Sequence, residues 1–483
     1  MPRVTETLMA LCLGSTAGRI VILLSALVLP GLLSFRALSR VPSTVWLSVV
    51  STLAAAIIVR LAFSRRDGRV RCYLGNGDDL KRVYDRMPSA RIAPEPPVWC
   101  SGPYMQFLPW VLYNLLIATL APLPFEVEEV EVCGLVDKSK PESESNPRNV
   151  RDTVTVNYFP PVSNGAAQAN LPLDAPAIFV DPGLTCTAQD VPGSSLMRRA
   201  CLAGFRVVVL ERRGHHAPLR SPRFNLFGDI DDFEQVYHTV AKRLTGAPLF
   251  WVGLSSGSKL VVEGLGKFDR RRAEGDNTAP SFVAACCLCP GYNLETCFDR
   301  FAFPFAQMCL ANAKSMFVGQ NEKVLRAYDE ATYEKVMGST SLSSMLFAAA
   351  PFAGYPSSTE YFAAENPVLF TSHVRTPTLL VNAEDDPMTV VANAFEKSPF
   401  QEDGATFVEQ LERSPCGMLL ISSTGSHCPF LDGRLWPFER VPMWLGGFIL
   451  NSWCERCTLE FFAGYLEETG RGEKARRASP PGR

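Results

Sequence analysis

Leu249-Phe250-Trp251-Val252-Gly253-Leu254-Ser255-Ser256-Gly257 runs directly into the helix-forming stretch Ser258–Phe268. The first four residues are continuously apolar, as a strand buried on both faces should be. A Gly-x-Ser-x-Gly turn between such a strand and a helix is the signature of a nucleophile elbow. The flanking glycines have a steric reason, because a Cβ at either position would collide across the tight turn. The turn strains its serine and lifts the hydroxyl over the sheet, at the start of a helix whose amides favour negative charge. Ser255 is therefore the candidate nucleophile. The bland alternative is an ordinary strand-to-helix turn.

A serine hydroxyl is a poor nucleophile at neutral pH and needs a base within hydrogen-bond reach. The chain has five histidines: His215, His216, His238, His373 and His427. An elbow on a sheet of this kind takes its partners in the order Ser, acid, His, on loops after later strands. His427, in Thr424-Gly425-Ser426-His427-Cys428-Pro429, follows the last strand candidate and meets that order. His373 lies before the acid loop and fails it. His238 falls in a helical run, and His215 and His216 follow Arg212-Arg213-Gly214 in a loop. The acid must hold one imidazole tautomer and stabilise the imidazolium. The strand candidate Thr378–Asn382 runs into Ala383-Glu384-Asp385-Asp386-Pro387, which makes Asp386 the preferred acid and Asp385 the alternative. The developing oxyanion needs preorganised amides. Ser256 supplies one, and Leu184, in Val180-Asp181-Pro182-Gly183-Leu184-Thr185, is the expected source of the other.

Around these loops the sequence keeps an α/β rhythm. Thr153–Tyr158, Ala177–Val180, Arg206–Leu210, Leu249–Val252, Phe282–Cys289, Thr378–Asn382 and Gly417–Ser422 read as strands separated by helical patterns. That alternation predicts a mostly parallel twisted sheet flanked by helices. Residues 291–370 break the rhythm, are helical, and are rich in Phe, Met and Ala, as a cap insertion would be.

The first 72 residues hold nine Arg, no Lys and two acids. They contain two apolar blocks, about 20–35 and 45–63. The blocks predict an N-terminal membrane anchor. The arginines after the second block place the remainder weakly on the cytosolic side. A third uncharged stretch, Tyr104–Pro124, suits either a helix against a membrane or a helix of the soluble core. The expected organisation is an anchor over 1–72, a lead-in segment packing on the core over 73–133, a first core part over 134–290, the cap over 291–370, a second core part over 371–467, and a disordered tail over 468–483.

A formal net charge of −2 offers no field for nucleic acid. The 15 cysteines are scattered, several in apolar contexts such as Cys286, Cys287 and Cys289, and read as buried free thiols in a reducing compartment. Cys454 and Cys457 have CxxC spacing without the further ligands a zinc site needs. No phosphate-binding glycine loop is present, and neither a metal nor an organic cofactor is implied.

The Pro182-Gly183-Leu184-Thr185 loop, the Arg213-Gly214 strand end, the Gly253–Gly257 elbow, the Asn382–Pro387 acid loop and the Gly425-Ser426-His427 turn occur in one order. As a set, over roughly residues 94–465, they resemble the AB hydrolase 4 family, the embryogenesis-associated branch of the α/β hydrolases. Two departures stand out. Gly102-Pro103-Tyr104-Met105-Gln106-Phe107 differs from the family's lead-in motif, and Cys186 stands where a Gly is usual. The resemblance implies an α/β-hydrolase fold and acyl-ester chemistry on lipid-like substrates such as a phospholipid, a monoacylglycerol or a medium-chain ester. Membrane-anchored lipases and esterases populate that branch, as do ester-forming acyltransferases. The expected activity is a serine esterase or lipase at a bilayer. The alternatives are an acyltransferase that passes the same acyl-enzyme to an alcohol, and a catalytically silent membrane scaffold.

Overall fold

The computed structural model describes residues 68–114, 117, 120–134, 150–162, 171–190, 193–215, 217–397, 404–433 and 435–470. The two apolar blocks lie outside the described residues, as do nearly all of the predicted anchor, residues 135–149 and the tail from 471. Among the described residues no helix is long and apolar enough to cross a membrane.

Nine strands form one sheet: β1 (Val70–Leu74), β2 (Glu126–Cys133), β3 (Arg151–Phe159), β4 (Ala177–Asp181), β5 (Arg206–Glu211), β6 (Leu249–Leu254), β7 (Ala284–Leu288), β8 (Thr378–Ala383) and β9 (Gly417–Ser422). Their order is β1-β9-β8-β7-β6-β4-β5-β3-β2. The six strands from β5 to β9 are parallel, and the edges are antiparallel, β1 on β9 and β3 and β2 beyond β5. All seven strand expectations are present, with small changes of boundary. β4 to β9 are buried along their whole length because helices cover both faces. Phe250, Val252 and Leu254 of β6 join one core with the helices Gly193–Leu202 and Trp453–Glu468. Trp251 joins the other, with Ile230–Arg243 and Gly257–Ala273.

Residues 73–133, expected as a lead-in segment packing on the core, also bring strands to the sheet, because both outermost strands arise in or beside that stretch. β1 pairs with β9 in register Val70 to Ser422, and β2 pairs with β3 in register Glu126 to Tyr158. A sheet can recruit strands distant in sequence because main-chain pairing does not require apolar runs. The uncharged stretch Tyr104–Pro124 is partly buried and partly exposed. Tyr113, Ile117 and Leu123 are buried, whereas Tyr104, Met105 and Leu120 are exposed.

Between β7 and β8 the chain builds a helical layer, from Leu294–Cys297 through Ser358–Glu365. This layer has its own core, in which Leu342, Met345 and Phe352 pack with Phe224 and Phe227. One of its ties to the sheet domain is ionic and fully buried. Lys259, in the helix that follows Ser255, lies between Glu263 of the same helix and Glu365 of the helical layer. Glu365 also accepts from Asn225 Nδ2 (3.0 Å) and Tyr355 Oη (2.6 Å). Removing one member of a buried ion cluster strands its partners. Lys259→Met is therefore expected to lower the unfolding free energy by about 3–5 kcal/mol in denaturant titrations. A loss within the scatter of ordinary surface substitutions would contradict this tie.

Candidate active site

Ser255 directly follows β6 and stands at φ +52°. Its amide donates to the Leu288 carbonyl of β7 (2.7 Å), so the neighbouring strand holds the turn. The glycine requirement read from the sequence has a measurable cause. A Cβ on Gly253 would lie 2.5 Å from Ser258 Cα, and one on Gly257 2.2 Å from the Asp181 carbonyl oxygen.

Ser255 Oγ lies 2.7 Å from His427 Nε2, and His427 Nδ1 lies 2.8 Å from Asp386 Oδ2. With the proton on Nδ1, the ring donates to Asp386 and leaves Nε2 to accept from the serine. Asp386 is itself held. Its Oδ1 accepts from the amides of Met388 (2.7 Å) and Thr389 (2.9 Å), and its Oδ2 from Thr389 Oγ1 (2.7 Å). The three candidate residues arrive on the carboxyl ends of β6, β8 and β9, where parallel strands place their loops together.

Asp385 has another partner. Its carboxylate accepts from the Ser426 amide (2.8 Å) and Thr424 Oγ1 (3.0 Å), which anchors the histidine loop and does not reach the ring. That loop is tense, with Ser426, Cys428 and Phe430 all at positive φ. The other histidines stay apart. His215 ring Nδ1 meets the Arg213 carbonyl (3.2 Å), and burial with the Arg212 charge holds its pKa well below the ordinary value. His238 is exposed beside Glu234, His373 lies in a short 3-10 turn before β8, and His216 is outside the described residues.

The Pro182–Thr185 loop abuts the elbow, since a Cβ on Gly183 would stand 3.6 Å from Ser255 Cβ. Among the described residues no backbone carbonyl accepts from the Leu184 or Ser256 amide. Two side chains that support the site were not singled out from sequence. Thr389 braces Asp386, as described above. Arg212, buried at the end of β5, donates to the Pro182 carbonyl (2.5 Å) and to Ser256 Oγ (3.4 Å). It therefore ties together the two segments expected to supply oxyanion donors. Behind it, burial pushes the Asp181 carboxyl up to about 7 against the opposing pull of Arg212. The one signal available was an extra arginine beside the Arg213-Gly214 motif, and a charged loop residue of that kind reads as solvated. Arg213 itself pairs with Asp232 and is structural.

Ser255 and His427 lie on the wall of a cavity of about 250 Å³. Phe107, Leu184, Phe227, Phe298, Phe305 and Met308 supply much of its apolar lining. One group of side chains among the described residues has metal-ligand chemistry: Cys289, His427 and Cys428, with ligand atoms within 4.8 Å of one another. Both nitrogens of that ring already face Asp386 and Ser255, so a cation there would displace the hydrogen bonds just described. The described cysteines, Cys454 and Cys457 included, are free thiols.

Residues 177–435 match the model of the alpha/beta hydrolase family. The chain belongs to that family. It is also AB hydrolase 4-like, as the ordered motifs implied. Human Protein ABHD15 is 28% identical over 282 residues, covering 57% of this chain and 53% of that protein. Mouse Phospholipase ABHD3 is 27% identical over 277 residues, covering 54% and 60%. Human Monoacylglycerol lipase ABHD2 is 24% identical over 275 residues, covering 52% and 60%. This α/β hydrolase thus matches 53–60% of the length of these curated relatives.

Two expectations follow from the geometry. Burial alone would lower the His427 pKa, but the Asp386 carboxylate outweighs it and raises the ring from 6.5 to about 10. Only the neutral ring can accept a proton, so the acid limb of a kcat/KM profile should lie on the alkaline side of 6.5, toward about 10. The same pair stabilises the fold fully below 6.5, and that contribution is lost as pH rises through about 10. In Asp386→Asn the ring should titrate lower by NMR, and the alkaline loss of stability should disappear. Arg212→Met should slow serine labelling by a fluorophosphonate by on the order of 10- to 100-fold, a share of what one lost oxyanion donor costs. Arg212→Lys should recover part of that rate, and ester KM should change far less than kcat.

Proposed function

We propose that this α/β hydrolase is a serine hydrolase that cleaves carboxylic esters of lipid-like molecules through an acyl-enzyme. The observation that carries the reading is the Ser255–His427–Asp386 chain, 2.7 and 2.8 Å long, on the wall of an apolar cavity. Ser255 Oγ attacks the ester carbonyl as His427 Nε2 takes its proton, and Asp386 stabilises the imidazolium. The Leu184 and Ser256 amides receive the oxyanion. Collapse of the tetrahedral intermediate breaks the ester C–O bond, and His427 returns the proton to the departing alcohol. A water, deprotonated by His427, then attacks the acyl carbonyl and releases the acid and free Ser255. The names of two relatives, a phospholipase and a monoacylglycerol lipase, support a lipid-like ester. So does a cavity walled by phenylalanines, since each buried methylene of an acyl chain gains about 0.8 kcal/mol.

In this reading the helices of 291–370 cap the acyl site, and the apolar blocks at 20–35 and 45–63 hold the protein at a membrane with the hydrolase on the cytosolic side. A fluorophosphonate probe should label the full chain and fail to label Ser255→Ala. Ester turnover in that variant should fall by on the order of 10⁴-fold or more. Undiminished labelling of Ser255→Ala, or a wild-type protein that neither labels nor turns over a short-chain ester, would overturn the assignment.

A further inference from the structure

We infer that the rim of the acyl cavity is a docking surface for a phospholipid bilayer, so that the ester substrate passes from the lipid into the cavity without crossing water. This rests on the hydrolase reading for its purpose, though not for its geometry.

The rim is built from two uncharged segments that meet in space. Residues 101–114 and 301–313 contain no acidic, basic or histidine side chain. Tyr104 stacks on Phe305 at 5.5 Å between ring centroids, and Phe107 meets the same ring at 4.7 Å. Around this joint large apolar side chains face solvent: Phe303 is 76% exposed, Met308 54%, Tyr104 48% and Met105 44%. Scattered single apolar residues on a surface need no explanation, but a contiguous uncharged set does. Here the set is continuous with the cavity, because Phe107, Phe305 and Met308 belong both to the rim and to the lining.

An independent observation identifies the occupant. β1 runs antiparallel to β9, so its first residue, Val70, pairs with Ser422 at the carboxyl edge of the sheet. The Arg69 amide donates to Ser423 Oγ (3.0 Å), and the Ser423 amide to the Arg69 carbonyl (2.8 Å). The next residue, Thr424, accepts from Gln106 Nε2 (3.3 Å), and Ser426 Oγ donates to the Pro103 carbonyl (2.5 Å). The chain before residue 68 therefore joins the fold on the rim's own side, beside the 103–106 segment. That preceding chain carries the two apolar blocks, followed by Arg65, Arg66 and, at the start of the fold, Arg69. An apolar block with arginines behind it matches hydrocarbon with a headgroup layer. The described chain thus begins on the rim's own side, directly after a sequence with two apolar blocks, which suits a bilayer better than a soluble partner.

The test uses the full chain reconstituted in phosphatidylcholine vesicles. Phe303 is replaced by the photo-crosslinker p-benzoylphenylalanine, and in a separate protein Thr245, in the turn that leads into β6 at the opposite edge, is replaced likewise. Illumination should give a phospholipid adduct at 303 and none at 245. No lipid adduct at 303, equal adducts at both sites, or a protein–protein product in place of lipid would overturn the proposal, the last in favour of a second copy. In parallel, the double variant Met105→Asp, Phe303→Asp alters neither the triad nor the cavity lining. It should lose on the order of 10-fold of turnover on a long-chain ester embedded in the vesicles, yet stay within about twofold on a soluble short-chain ester. Unchanged turnover on the embedded ester, or equal loss on both substrates, would also overturn it. A wild-type protein inactive on the soluble ester would instead refute the hydrolase reading, while the crosslinking result would still decide the surface.

Discussion

Gly257 has no side chain, and the carbonyl oxygen of Asp181 occupies the space where one would begin. That close approach lets the helix Gly257–Ala273 start directly against the end of β4, and the serine in the turn between β6 and this helix stands at φ +52°. Everything in the candidate site is arranged around the consequence. The hydroxyl stands above the centre of a parallel sheet, flanked by the loops that leave β4, β8 and β9. A Cβ at this contact would push the helix from the sheet and move the serine away from His427, so one missing methyl governs both packing and chemistry.

Buried charge supplies the remaining rigidity. Arg212 bridges the two segments that carry the candidate oxyanion amides, and Lys259 joins the helix behind Ser255 to the helical layer above it. Asp385 and Asp386, adjacent in the chain, divide the labour at the third corner. One pins the loop that carries His427, and the other meets the ring. Such groups are costly to bury unless fully paired, and the pairing is geometrically exacting. The site is held by interactions that tolerate little displacement, consistent with the short distances along the serine–histidine–aspartate chain.

The central strands were legible because burial on both faces demands continuous apolar runs, and each of the seven was found at its expected place. The edges were harder for two different reasons. β2 reads Glu-Val-Glu-Glu-Val-Glu-Val-Cys, which alternates only from Glu129 to Val132, where Val130 and Val132 are buried, while Val127 is exposed; the pattern is too short to mark the whole strand. β1, Val-Arg-Cys-Tyr-Leu, carries no such pattern, and its place is decided by main-chain pairing with a strand some 350 residues away. Thr389 and Arg212 were invisible for a similar reason, since a threonine after an acid loop and an arginine at a strand end have many possible partners.

By itself, the sequence determined the class of the sheet, the elbow, and the order in which serine, acid and histidine follow one another. These depend on local rules: strand periodicity, glycine where no Cβ fits, and short loops after parallel strands. Only the tertiary structure decided which aspartate meets the imidazole, which arginine joins the two candidate oxyanion segments, and which apolar side chains remain on the surface at the cavity mouth. Those outcomes depend on distances between residues far apart in the chain, and such distances exist only once the sheet has brought its carboxyl edge together.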